Sequence, residues 1–106
     1  MQILIINFSL QGLDEADFRA ECEQLAPTFA AIPGLRSKTW LASPETNTWG
    51  GIYVFDTAES LDAYLESPLC AAVRSNPAFV DQRVSRFDVL VEPSAITGSH
   101  AGLTAA

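Results

Sequence analysis

The sequence is short of the residues that usually carry metal ions and nucleophilic relays. Its 106 residues include one histidine, two cysteines and six basic side chains, of which Lys38 is the only lysine. His100 stands in the small, polar stretch "ITGSHAGLTAA", apart from every apolar run, which speaks against a zinc site, a histidine-ligated heme or a histidine-based triad. Cys22 and Cys70 are far apart in the chain, in helix-like stretches with no second ligand type nearby. Each is expected to be a small buried apolar group and not half of a disulfide or metal site. Six basic residues against thirteen acidic ones give a net charge of −7. The basic residues are scattered, so there is no footprint for phosphates and no nucleic-acid partner is expected. Long apolar runs are missing too. The opening "MQILIINFSL" is too short to cross a membrane and carries neither a basic leader nor a small-residue cleavage site, so it is expected to be a strand of a cytoplasmic protein.

What is present suits one domain with a single core. The run "QILIINF" (2–8) is nearly continuous in apolar residues, as expected of a strand covered on both faces, with Asn7 its polar member. From Asp14 the period changes, and Phe18, Cys22, Leu25 and Phe29 form one stripe of a helix with Asp14 as N-cap. Pro27 is expected to kink or end that helix. "LRSKTWLA" (35–42) and "TWGGIYVFD" (48–56) predict a hairpin across a short turn containing Pro44. Thr57 then caps a helix carrying Leu61, Tyr64 and Leu65, and Ser67 with Pro68 opens a further helical stretch that Pro77 stops. "FVDQRVSRFDVLVE" (79–92) predicts a last strand, with Val80, Gln82, Val84 and Arg86 alternating against Asp81, Arg83, Ser85 and Phe87. Residues 1–92 are therefore expected to form the domain, and 93–106 a tail or an arm laid on a neighbour.

The order strand, helix, strand, strand, helix, strand is that of a ferredoxin-like α+β fold. It implies a four-stranded antiparallel sheet with its helices on one face. The other face needs a cover, and with 48% apolar residues the simplest cover is a second copy of the chain.

The hairpin carries the most specific pattern. "GLRSKTWLASPETNTWGGIYVFDTAESLDAYLES" (34–67) combines Lys38 and Trp40, a fixed turn, Gly50-Gly51 and the aromatics Tyr53, Phe55 and Tyr64. It resembles the core motif of the YdhR-type monooxygenase family. That family is a branch of the dimeric α/β-barrel superfamily, which includes antibiotic-biosynthesis and quinol monooxygenases. The likeness extends to "LAPTFAAIPGL" at the end of the first helix and to "FDVLVEPSAITG" near the end of the chain. The resemblance implies a homodimer with one pocket per subunit between sheet and helices. It also implies oxidation of a small aromatic, phenolic or quinol-like substrate by O2 with no flavin, metal or heme. An electron-rich phenolate can itself give an electron to O2, leaving the protein to bind, deprotonate and shield it. The superfamily also holds heme-degrading members, from which this chain departs by lacking a helical histidine. A non-catalytic small-molecule-binding dimer using the same pocket is the alternative, and a scaffold whose cavity is filled by its own side chains is a third.

Two registers of the hairpin are open. A four-residue loop pairs Trp40 with Gly51 and puts it on one face with Trp49, Tyr53 and Phe55; a five-residue loop pairs it with Gly50 and splits that cluster. In either register the indole can lie over a bare glycine, or the glycine can leave a slot for a flat ligand. Trp40, Trp49, Gly51 and Tyr64 are thus the candidate substrate-binding residues. Asn7, Lys38 and Tyr53 are the catalytic candidates: Asn7 to orient a substrate oxygen, Lys38 to hold a phenolate, and Tyr53 to exchange a proton with a quinone-like product. Each has a plainer reading, as a satisfied strand amide, a solvated stem or a core phenol. The acidic stretch "DEADFRAECE" reads as a solvated helix face.

Overall fold

The apolar opening run is one of the two inner strands of the sheet. In the computed structural model, which describes residues 1–98, strand β1 (Gln2–Leu10) pairs on one edge with β3 (Thr48–Phe55) and on the other with β4 (Phe79–Asp88). β2 (Leu35–Ser43) pairs with the outer edge of β3, giving the order β2-β3-β1-β4 with every pair antiparallel. The pleat sends Leu4, Ile6 and Phe8 of β1 into the core beside Trp49, Tyr53 and Phe55 of β3.

The helices begin where their caps require. Asp14 accepts a hydrogen bond from the Asp17 amide (2.9 Å) to open α1 (Glu15–Ala30). Thr57 accepts from Ser60 (3.1 Å) at the start of α2 (Ala58–Leu65). Ser67 accepts from Cys70 (3.2 Å) to start α3 (Pro68–Ser75), so the second helical region is two short helices. α1 buries Phe18 and Phe29, α2 buries Leu61 and Tyr64, and α3 buries Cys70. This is the expected ferredoxin-like α+β arrangement, with α1, α2 and α3 on one face of the sheet.

Three local expectations need correction. Pro27 does not end α1, which continues a further turn to Ala30; Pro27 lacks the amide donor, but its own carbonyl still accepts from Ala31 (3.2 Å). β4 stops at Asp88, short of the expected residue 92, and the apolar "VLV" leads into a short helix, α4 (Val91–Thr97). β4 also does not alternate strictly. The pairings Asn7↔Arg83 and Ser9↔Val80 leave an extra residue in β4, and Asp81 takes φ +54° there. The bulge lets Phe79 stack on Phe8 (4.2 Å between centroids) while Gln82 donates to the Val73 carbonyl (3.1 Å) and Arg86 pairs with Asp62 (2.8 Å) on the same helix-covered face.

The opposite face of the sheet carries Ile3 and Ile5 of β1, Ile52 of β3 and Phe87 of β4, with Phe87 54% exposed. No helix among the described residues is long and apolar enough to cross a membrane.

Candidate functional site

The hairpin register settles what lies around Lys38. Ser43 pairs with Thr48 across the four-residue loop Pro44–Asn47, so Trp40 stands opposite Gly51 and Lys38 opposite Tyr53. Lys38, Trp40 and Tyr53 point toward α1, and Gly51 lies on the same face. The two-residue repeat of β2 therefore carries a lysine and a tryptophan side by side under Phe29 of the helix.

Lys38 Nζ lies 3.4 Å from the Trp40 ring centroid, 3.5 Å from Phe29 and 4.6 Å from Tyr53. Among the described residues no carboxylate pairs with it. Burial lowers its pKa to about 7 from an ordinary 10.5, with a smaller opposing pull from Cys22. The three ring faces also favour the ammonium form. Near neutral pH the amine is therefore present in both forms, with a lone pair available for proton transfer.

The Gly-Gly pair serves two different purposes. Gly50 has φ +150°, and a Cβ there would stand 1.9 Å from the Ile6 carbonyl oxygen, so β1's backbone occupies the space. A Cβ on Gly51 would meet Lys38 Cε at 2.8 Å and the Thr39 carbonyl at 3.3 Å. The space at Gly51 thus holds the lysine stem, and not the Trp40 indole that the sequence suggested. Trp40 turns instead to Phe29, edge to face at 5.3 Å, and keeps 36% of its surface exposed.

Three cavities meet at this tryptophan. One of ≈ 290 Å³ lies between α1 and the hairpin end, walled by Phe18, Arg19, Cys22, Trp40 and Trp49. A second of ≈ 290 Å³ is walled by Ala26, Phe29, Ser37, Lys38 and Trp40. Between them an inner chamber of ≈ 50 Å³ touches Cys22, Phe29, Lys38, Gly51 and Tyr53. Apolar walls with a few polar atoms suit a flat, mostly apolar ligand.

The other candidates are distributed unevenly. Trp49 is buried against Phe18 (5.4 Å), and its indole N–H donates to Asn47 Oδ1 (2.9 Å). Tyr53 lines the inner chamber, where its hydroxyl accepts from Tyr64 (3.3 Å); burial pushes its pKa up to about 12. Tyr64, behind it in the core, walls none of the three cavities, and burial beside Tyr53 raises its pKa further. Neither phenol is a base at neutral pH. Asn7 alternates with Ile6 and Phe8, so it lies on the face away from the helices and away from Lys38, and the structure does not bring it to the cavities.

Several site residues were not singled out by the sequence reading. Asn47 is in the left-handed region (φ 50°), and its amide also holds both backbone groups of Leu10, tying the hairpin loop to β1. An asparagine ending a turn was the overlooked signal. Arg19, Glu21 and Glu23 belong to the stretch read as a solvated face, yet Arg19 and Glu23 wall the outer cavity and Glu21 the inner chamber. Cys22 lines both, and burial raises its thiol pKa.

Heme does not fit this donor set. Among the described residues no histidine lines the cavities, and the Tyr53 phenol and Cys22 thiol are both held away from the anions that bind iron. His100 lies outside the described residues.

The fold recurs in solved structures. A protein of unknown function from Nitrosomonas europaea, NE2512, superposes with TM-score 0.71 at 18% identity, covering 85% of this chain and 89% of that one. SnoaB, a cofactor-independent oxygenase from Streptomyces nogalater, matches with TM-score 0.65 at 22% identity over 84% of this chain and 93% of its own. The heme-degrader MhuD from Mycobacterium tuberculosis matches with TM-score 0.68 at 16% identity over 87% and 98%. Among curated proteins none matches the chain. The family model described as "Putative mono-oxygenase ydhR" matches residues 3–100, and with nearly the whole chain inside that match the protein belongs to this monooxygenase family.

Proposed function

We propose that the protein oxidises a small aromatic, phenolic or quinol-like substrate with O2 and without a cofactor, with Lys38 as the base. The observation that carries this reading is the Lys38 amine set among Phe29, Trp40 and Tyr53 on the wall of an apolar cavity. The substrate ring lies against Trp40 with its hydroxyl toward Lys38. The neutral amine takes the phenolic proton, and the resulting ammonium is held by the three rings and by the phenolate it has made. A desolvated phenolate is a better electron donor than its hydrated form, and the cavity walls exclude water. Where the oxidised carbon carries two hydrogens, one oxygen atom of O2 becomes its carbonyl and the other leaves with both hydrogens as water. The likeness to SnoaB supports the reading at the level of fold.

The protein works in this reading as a homodimer, with a second copy covering Ile3, Ile5, Ile52 and Phe87. Strands of two sheets that meet on such residues form a dry layer between subunits. Oxygen uptake with an anthrone or hydroquinone in chelator-treated buffer tests the activity. Turnover that requires Lys38 supports it; tryptophan quenching with no oxygen uptake would mean a binding protein.

A further inference from the structure

Lys38 is the only lysine of the chain, and it does not pair with a carboxylate among the described residues. Its stem fills the space at Gly51, and its nitrogen is presented between Phe29 and Trp40 at a cavity of ≈ 290 Å³. An amine held this way is a nucleophile as well as a base, and its setting selects the electrophile. Carbamate formation would leave an anion with no cation facing it, since the Arg19 guanidinium is engaged by Glu15 at 2.8 Å and Arg36 by Asp56 at 2.9 Å. Condensation with a carbonyl converts one neutral pair into another.

We propose that Lys38 captures aromatic aldehydes or ketones as a reversible imine, with the aromatic ring seated in the cavity that Phe29 and Trp40 wall. The nitrogen lone pair attacks the carbonyl carbon and the π electrons move to oxygen. A proton then passes from nitrogen to that oxygen, giving a carbinolamine. Loss of water forms the C=N bond, and the step is redox-neutral. The groups facing Lys38 are Glu21 and Cys22 from α1 and the Tyr53 phenol from β3, all on the inner chamber's wall. The raised pKa values of Cys22 and Tyr53 keep both uncharged at neutral pH, and the lowered one of Lys38 leaves its lone pair free there. The inference shares the uncharged Lys38 with the oxygenase reading but not its oxygen chemistry, so it is tested without oxygen.

The full chain is incubated anaerobically at pH 7.5 with benzaldehyde and cyanoborohydride, which reduces any imine to a stable secondary amine, and the adduct is located by peptide mass mapping. The α-amino group is the only competing amine. Lys38 in the folded chain is expected to label on the order of several hundredfold faster than Lys38 in the urea-unfolded chain, the ratio of unprotonated amine at this pH. Cyclohexanecarbaldehyde, normalised to its own rate on the unfolded chain, is expected to gain less. Label confined to the α-amino group, or equal rates at Lys38 folded and unfolded, overturns the proposal. An equal gain for the aliphatic aldehyde overturns the aromatic class. Failure here with normal oxygen uptake leaves the oxygenase reading standing, and the reverse pattern separates them in the other direction.

Discussion

Lys38 Cε lies 2.8 Å from the point where a Cβ on Gly51 would stand, so the stem of one residue occupies the side-chain space that its diagonal neighbour on the next strand lacks. The two adjacent glycines are therefore unequal. Gly51→Ala should push the lysine stem aside at a cost of about 1 to 3 kcal/mol. Gly50→Ala meets the β1 backbone and a strained φ and should cost more than about 3 kcal/mol. Urea denaturation of both variants tests the order, and equal midpoints would refute it.

Lys38→Met should lower the rate of phenol-dependent oxygen uptake by at least about a hundredfold, the usual contribution of a positioned base. In the wild type the rate should rise with pH through a midpoint near 7, because the deprotonated amine is the active form. A flat pH profile would remove Lys38 from the role.

The same residue leaves a mark on stability. Its folded pKa lies below the unfolded value, so between about 7 and 10.5 the unfolded chain binds the extra proton. Stability gained as pH rises through that window should be present in the wild type and absent in Lys38→Met. The comparison must be a difference, because the raised pKa values of Cys22, Cys70, Tyr53 and Tyr64 act with opposite sign at alkaline pH. Identical pH dependence in the two proteins would contradict the burial of the amine.

Asn47 secures Trp49 and the end of β1 through one amide. Asn47→Ala leaves the buried indole N–H without its acceptor and places alanine in the left-handed region, so a loss of about 1 to 3 kcal/mol is expected. Asn47→Gly retains the backbone conformation and should lose less. Chemical denaturation ranks them.

The two tryptophans should report separately. With Trp49→Phe, the remaining Trp40 should be open to acrylamide and quenched by a bound phenol; with Trp40→Phe, the remaining Trp49 should resist both. Phe87→Asp, on the other face, should yield monomers in sedimentation velocity, and an unchanged sedimentation coefficient would count against the dimer.

Local signals accounted for much of the fold. Asp14, Thr57 and Ser67 announced three helices because a cap is a contact within four residues, and the continuous apolar run of β1 announced a strand. The bulge at Asp81 and the helix α4 were not legible. A left-handed aspartate has no unambiguous signature in an alternating pattern, and the apolar "VLV" suits a strand end as well as a helix start. Of the site, Trp40, Lys38 and Tyr53 stood out as a group through the family-like motif. Arg19 and Glu23 did not, because residues on the rim of a cavity have the same composition as a solvated helix face.

The sequence by itself determined the order of elements, the helix starts and the crowding of aromatic residues onto one hairpin, since each depends on neighbours close in the chain. Only the tertiary structure decided the register of that hairpin, the seat of the lysine stem at Gly51 and the exile of Asn7 to the far face. A one-residue slip would have reversed each of these, and the groups that bear on the choice, β1 and Phe29, meet the hairpin only after the chain has folded.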